Sequence, residues 1–85
     1  MPKVELYTTQ WCPYCHAAKA LFDGKQIAYE EIDAGDSEVR AAMIPRAHGR
    51  RTVPQIFIGD RHIGGYQDAA ALDRAGKLDP LLTEG

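Results

Sequence analysis

The sequence predicts an α/β fold, a mixed four-stranded sheet flanked by helices on both faces. Two observations predict it. Apolar patterning runs in the order strand, helix, strand, helix, strand, strand, helix, and a tight-turn signal between the last two strands makes them an antiparallel hairpin within a sheet otherwise joined by helices.

Each element has a local cause. Residues 3–8, KVELYT, alternate Val4 and Leu6 with Lys3 and Glu5, and Tyr7 extends a β-favouring run, so they read as a short strand. A helix follows at once. Cys12 falls at its N-cap, Pro13 occupies the first turn, where a missing N–H costs nothing, and Ala18, Leu21 and Phe22 recur at helical spacing until Gly24. Residues 27–33, IAYEEID, form a second strand polar enough for a sheet edge. Asp36 or Ser37 caps a second helix with Val39, Ala42 and Met43 facing inward. Pro45 removes a backbone donor and restricts Ile44, so this helix should end or kink there.

Residues 53–58, VPQIFI, read as a buried strand opened by a proline. Gly59 and Asp60 make the tight turn, and Arg61, His62 and Ile63 return as the second arm of the hairpin. Gly64 and Gly65 then lead into a helix from about Gln67 to Arg74, stopped by Gly76, and Asp79 with Pro80 caps a last short turn. Leu21, Phe22, Met43, Ile56 and Ile58 are core candidates.

Composition narrows the function. Residues 1–85 suffice for one domain with one modest core. With 45% hydrophobic and 26% charged residues the chain is globular, and no apolar run is long enough for a membrane span. The start, MPKVELYTT, lacks the basic and apolar blocks of a signal peptide, so a cytoplasmic protein is expected. A net charge of −2 gives no nucleic-acid surface, although residues 48–51, HGRR, form a small basic cluster.

The chain has two cysteines, Cys12 and Cys15. A disulfide closing so short a loop removes little unfolded-chain entropy, and a reducing cytosol would not keep it as a staple. A zinc site wants four ligands, and His16, His48 and His62 stand at no recognisable spacing, so no metal is expected. A reactive couple remains. The nucleophile of such a couple is the thiolate, and an ordinary thiol is only about a few per cent ionised at pH 7. Lowering a thiol pKa by about three units takes roughly 4 kcal/mol, whereas a helix N-terminus supplies about 0.3 to 2 kcal/mol. The difference falls to direct donors: the N–H groups of Tyr14 and Cys15, the Cys15 thiol, or a nearby cation. Inside the first turn Cys15 should be the less exposed, so Cys12 attacks and Cys15 resolves.

Three separated segments now coincide with one family. CPYC (12–15) after a first strand, TVPQIFI (52–58), and GGYQD (64–68) after a hairpin resemble the active-site and glutathione-binding segments of the dithiol glutaredoxins of the small bacterial type. The resemblance runs from VELYT to LDPLL and implies the thioredoxin fold, consistent with the order of elements. It implies a glutathione-dependent thiol–disulfide oxidoreductase, with glutathione as cosubstrate, acting on protein–glutathione mixed disulfides and on protein disulfides. Ribonucleotide reductase is one candidate target, and the protein would act as a monomer without nucleic acid, membrane or metal.

The resemblance also implies a cis bond before Pro54, with Val53 pairing strand-like with the cysteinyl unit of glutathione and Thr52 alongside. The γ-glutamyl carboxylate would meet the N–H groups of Tyr66, Gln67 and Asp68 after Gly64 and Gly65, its ammonium the Asp68 side chain, and the glycyl carboxylate Arg50 and Arg51. Tyr14 would cover the reacting sulfurs. Simpler roles compete: Asp68 as a first-turn charge on a helix dipole, the arginines as solvated loop residues, Trp11 as a half-exposed aromatic, and His16 as surface.

Two positions depart from the family pattern. Thr9 stands where many members carry lysine, which removes one cation near the sulfur. Tyr66, Gln67 and Asp68 follow the glycines where a small residue and then serine or aspartate are commoner. Two other functions share the motif: an electron donor reduced by thioredoxin reductase, and an iron–sulfur carrier bridged through Cys12 and glutathione. The retained TVP and GGYQD segments count against the first and Pro13 against the second.

Overall fold

The structure, a computed structural model, describes residues 2–83. Its elements are β1 (Val4–Thr8), α1 (Pro13–Gly24), β2 (Glu30–Asp33), α2 (Ser37–Arg46), β3 (Gln55–Ile58), β4 (Arg61–Gly64), α3 (Tyr66–Arg74) and α4 (Leu78–Thr83). The sheet order is β2-β1-β3-β4, with β2 parallel to β1 and the other pairs antiparallel. This is the mixed, helix-flanked sheet of the thioredoxin fold.

The two central strands are apolar on both faces, which forces helices onto both. Val4, Leu6, Ile56 and Ile58 face one way and bury Ala18 and Phe22 of α1, Ala69 of α3, and Leu78 and Leu82 of α4. Tyr7 and Phe57 face the other way, against Met43 and Ala47 on the α2 side. Packing of α1 against β1 and β3 brings the N-terminus of α1 to the end of β1, beside the chain entering β3.

β1 starts one residue later than expected, at Val4, and β4 runs one residue further, to Gly64. β2 starts at Glu30, later than residue 27, because Gln26 and Ile27 donate their N–H groups to Asp23 and Phe22 and complete the C-terminus of α1. β3 starts at Gln55, because the backbone at Val53 and Pro54 leaves the ladder. On α2, Ala42 is exposed; the buried face runs Val39, Met43, Ala47 at a spacing of four, so Ala42 sits one residue off it. α3 begins at Tyr66, one residue before Gln67, and the last turn is a helix, with Asp79 inside it and paired to Lys25 at 2.7 Å. Asp36 is the N-cap of α2, its Oδ1 accepting from Glu38 and Val39 N–H, and α2 ends one residue after Pro45.

Arg46 ties α2 to the sheet. Its guanidinium lies 4.0 Å from the Phe57 ring centroid and donates to Glu5 Oε1 at 2.6 Å and to the Tyr7 hydroxyl at 3.1 Å. The Arg46 bond holds the Glu5 carboxyl below its usual range. A carboxylate depressed in this way stabilises the fold above its unfolded value and loses that contribution as pH falls through the folded one. Arg46→Met should therefore cost about 1 to 3 kcal/mol at pH 7, as for a charged hydrogen bond. Urea unfolding at pH 7, 4 and 3 should find the wild type losing more of its stability in acid than the variant; parallel pH profiles would contradict this role for the pair.

Candidate functional site

The site forms where three backbone irregularities meet at one end of the sheet. The first is the start of α1. Cys12 takes the extended N-cap conformation, φ −100° and ψ 110°, and its sulfur accepts the Cys15 N–H at 3.1 Å. A sulfur here does what a serine or aspartate oxygen does at other helix starts. Of the donors expected, the Cys15 N–H reaches Cys12; the Tyr14 N–H makes no such bond among the described residues. In the thiol form Cys12 also donates to the Val53 carbonyl, Sγ to O 3.6 Å.

The two thiols are unequal. Both are free, Cys12 half-buried and Cys15 fully buried. Burial, and then its hydrogen bond with Cys12, pushes the Cys15 thiol up to about 12. Trp11 and Tyr14, next to the pair in sequence, are 85% and 56% exposed, the two exposed large apolar side chains among the described residues.

The second irregularity faces the first. The Val53–Pro54 bond is cis, as expected, and Val53 N–H has no partner among the described residues. The third is the glycine pair before α3. Gly64 has φ +112°, and a Cβ there would lie 2.5 Å from Asp68 Oδ2 and 2.6 Å from Arg50 Nη1, so only glycine fits. Gly65 is the N-cap of α3 and offers no side-chain oxygen, which leaves the first-turn N–H groups of Tyr66, Gln67 and Asp68 open. The Asp68 carboxylate turns back and accepts Gly65 N–H at 2.8 Å and Arg50 Nη1 at 3.1 Å, both on Oδ2. First the Gly65 N–H and then Arg50 hold its carboxyl below the usual range.

These segments enclose a cleft of about 380 Å³ lined by Tyr14, Arg50, Thr52, Val53, Pro54, Gly65, Tyr66, Gln67 and Asp68. The rings of Tyr14 and Tyr66 stack with centroids 6.4 Å apart at its side. Of the residues expected in a ligand site, Arg51 is absent from this lining and exposed. Arg50 and Asp68, expected at opposite ends of the ligand, are paired with each other, because the loop after α2 crosses over the glycine pair. Asp68 also lies in the first turn of α3, where the competing reading as a charge on the helix dipole put it. Sequence reasoning passed over Gln55, which is fully buried, and weighed His62, to which it is bonded, only as a metal ligand. The signal available was a glutamine inside an otherwise apolar strand.

Residues 4–63, more than half of the chain, match the sequence model of the Glutaredoxin family. The chain belongs to the glutaredoxin family. It is 53% identical over 83 residues to Glutaredoxin 3 of Escherichia coli K12, covering 96% of this chain and 99% of that protein. It is 52% identical over 84 residues to a glutaredoxin of Pseudomonas aeruginosa, covering 98% and 99%. Among solved structures, a buckwheat glutaredoxin–glutathione complex superposes with a TM-score of 0.89 at 36% identity, covering 98% of this chain and 78% of that one. A Brucella melitensis glutaredoxin superposes with a TM-score of 0.84 at 51% identity, covering 96% and 89%.

Membership makes Cys12 and Cys15 the redox-active couple of a glutathione-dependent oxidoreductase. Among the described residues no helix is long and apolar enough to cross a membrane. The inequality of the thiols has a direct readout. Iodoacetamide at pH 8 should give one adduct, on Cys12, in the folded protein and two after unfolding; comparable labelling of Cys15 in the folded state, read by peptide mass spectrometry, would contradict its burial.

Proposed function

We propose that the protein reduces protein–glutathione mixed disulfides, and protein disulfides, through Cys12 as nucleophile and Cys15 as resolving thiol. The observation that carries this is the half-buried Cys12 sulfur, 3.6 Å from the carbonyl of Val53, beside a cleft that Val53 itself lines and that ends at the N-terminus of α3, where Gly65 has no side chain to meet the first-turn N–H groups. A γ-glutamyl carboxylate suits the N–H groups of Tyr66, Gln67 and Asp68, and its ammonium suits the unbonded oxygen of Asp68. Arg50, already in the cleft wall, supplies a guanidinium to a ligand carboxylate, and the exposed Arg51 is left as a solvated charge. Thr52, Val53 and Pro54 line the side that meets the cysteinyl unit, and Tyr14 covers the reacting sulfurs.

The Cys12 thiolate attacks the glutathione sulfur of a mixed disulfide. The old S–S bond breaks, the target leaves as a thiolate that takes a proton from water, and Cys12 carries the glutathionyl group. A second glutathione thiolate then attacks that group and leaves as oxidised glutathione, restoring the Cys12 thiolate. With a protein disulfide, the Cys12 thiolate attacks one target sulfur, the target S–S bond breaks and a Cys12–target mixed disulfide forms. Cys15 then attacks Cys12, its proton passing to the departing target thiolate as the Cys12–target bond breaks, which releases the target as a dithiol and leaves an internal disulfide for glutathione to reduce. A reducing compartment, the cytoplasm, suits a couple that must return to the dithiol, and we read residues 1–85 as one domain acting as a monomer.

Deglutathionylation needs one sulfur of the enzyme, so Cys12→Ser should abolish it while Cys15→Ser retains it and loses activity on protein disulfides; equal loss of deglutathionylation in both variants would sink the assignment. Glutathione with glutathione reductase, and not thioredoxin reductase, should sustain turnover. For the cleft, Asp68→Asn should weaken recognition of a glutathionylated peptide by about 1 to 2 kcal/mol, the lower part of the charged hydrogen-bond range because half of that side chain is in water. A disulfide without a glutathionyl group should react unchanged, and similar losses on both substrates would reduce Asp68 to a helix cap.

A further inference from the structure

We propose that Gln55 is a positioning residue for the glutathione cleft: its side-chain amide fixes the Thr52–Val53 peptide so that the Val53 N–H faces the ligand, and His62 with His48 fixes the amide. This rests on the reading that Val53 pairs with the glutathionyl group.

The bonds assign themselves from one end. The Thr52 carbonyl accepts only, so the Gln55 atom 3.0 Å away is the donor Nε2, which also reaches Thr52 Oγ1 at 3.3 Å. The Gln55 Oε1 is therefore turned to His62, whose Nε2 lies 2.7 Å away and must carry a proton. Neutral His62 then has only a lone pair at Nδ1, and His48 Nδ1, 2.9 Å from it, is the donor. Every donor points the same way, from His48 to Thr52, and a chain of this kind has one self-consistent arrangement. Burial first, then the positive charges available at His48 and Arg50, disfavours protonation of His62 and keeps it in the form the chain needs. Its ring is held by stacking on Phe57, with centroids 4.9 Å apart. His48 sits at φ +57°, a left-handed conformation in which glycine is usual, at the C-terminus of α2.

The consequence for the cleft is geometric. Among the described residues the only cis bond is Val53–Pro54, so the Thr52–Val53 peptide is trans and its C=O and N–H point in opposite directions. With the Thr52 carbonyl turned inward to Gln55, the Val53 N–H is turned outward, where it has no partner among the described residues. Thr52 is itself exposed, so its carbonyl has water as an alternative partner, and the Gln55 amide is what draws it inward. Gln55 has no exposed surface and cannot touch the ligand; it acts through this peptide alone.

Gln55→Met removes both bonding ends and keeps the volume, and His62→Phe removes the orienting N–H while keeping a ring to stack on Phe57. Gln55→Met should raise KM for a glutathionylated peptide about five- to tenfold, the worth of one hydrogen bond, and His62→Phe about two- to fivefold, with kcat nearly unchanged. The rate of Cys12 alkylation by iodoacetamide, and the single-turnover reaction of the reduced enzyme with hydroxyethyl disulfide in the absence of glutathione, should stay within about twofold, because the sulfur's own N–H donor is untouched. In the wild type, nitrogen-15 correlation spectra at pH 7 should show His62 as the Nε2–H tautomer. A wild-type KM in Gln55→Met, equal losses on both substrates, or an Nδ1–H tautomer would overturn the proposal; if Gln55→Met fails to fold, His62→Phe carries the same comparison. A wild-type enzyme with no preference for the glutathionylated peptide would overturn the glutathione reading and this proposal with it, whereas a preference kept intact in the variants would overturn this proposal alone.

Discussion

The structure of the site depends on one hydrogen bond, from the Cys15 N–H to the Cys12 sulfur at 3.1 Å. Because it is a helix N-cap bond, the reacting atom is also a structural atom: it satisfies a first-turn donor that would otherwise need water. The helix in turn is held by Ala18 and Phe22 packed between β1, β3 and the last two helices. The sulfur is therefore placed by the core of the protein, and the position of Cys15 one turn in, fully buried, follows from the same geometry.

Opposite that sulfur, the cleft consists of backbone that regular structure has released. The strand entering from Val53 and Pro54 leaves an N–H unpaired among the described residues, and Gly65 at the start of α3 has no side chain with which to cap its own helix. Such donors are costly in a buried core and tolerable at a surface cleft where water or a ligand can meet them. The charged groups nearby satisfy each other: Arg50 and Asp68 pair across Gly64, which must lack a Cβ for them to meet. A ligand bringing both a carboxylate and an ammonium can exchange with that pair without leaving either charge unpartnered.

Behind the open donors lies a layer of ordered polar groups. The chain from His48 through His62 and Gln55 to Thr52 runs from the surface loop after α2, across the hairpin, to the loop beside the sulfur. Arg46, the last residue of α2 and two residues before His48, does comparable work in joining Glu5, Tyr7 and Phe57. The C-terminal end of α2 is thus anchored to the sheet, and the loop that carries Arg50 over the glycine pair starts from a fixed point.

Much of this was legible in the residues themselves. Alternation in β1, the N-cap and proline at the start of α1, Asp36 before α2 and the Gly59–Asp60 turn are local signals, and each acts within a few residues of its cause. The Cys12–Cys15 spacing likewise carried its chemistry, since three residues is the reach from an N-cap to the first turn. What the sequence could not specify were relations between segments far apart in the chain: that Arg50 meets Asp68 and Arg51 meets neither, that the inward face of α2 passes through Ala47 and not Ala42, and that a glutamine in a buried strand has its partners in Thr52 and His62. A periodic pattern names a face, but which side chain on it finds a partner depends on how two elements are rotated and offset against each other, and that is set only when the whole core packs.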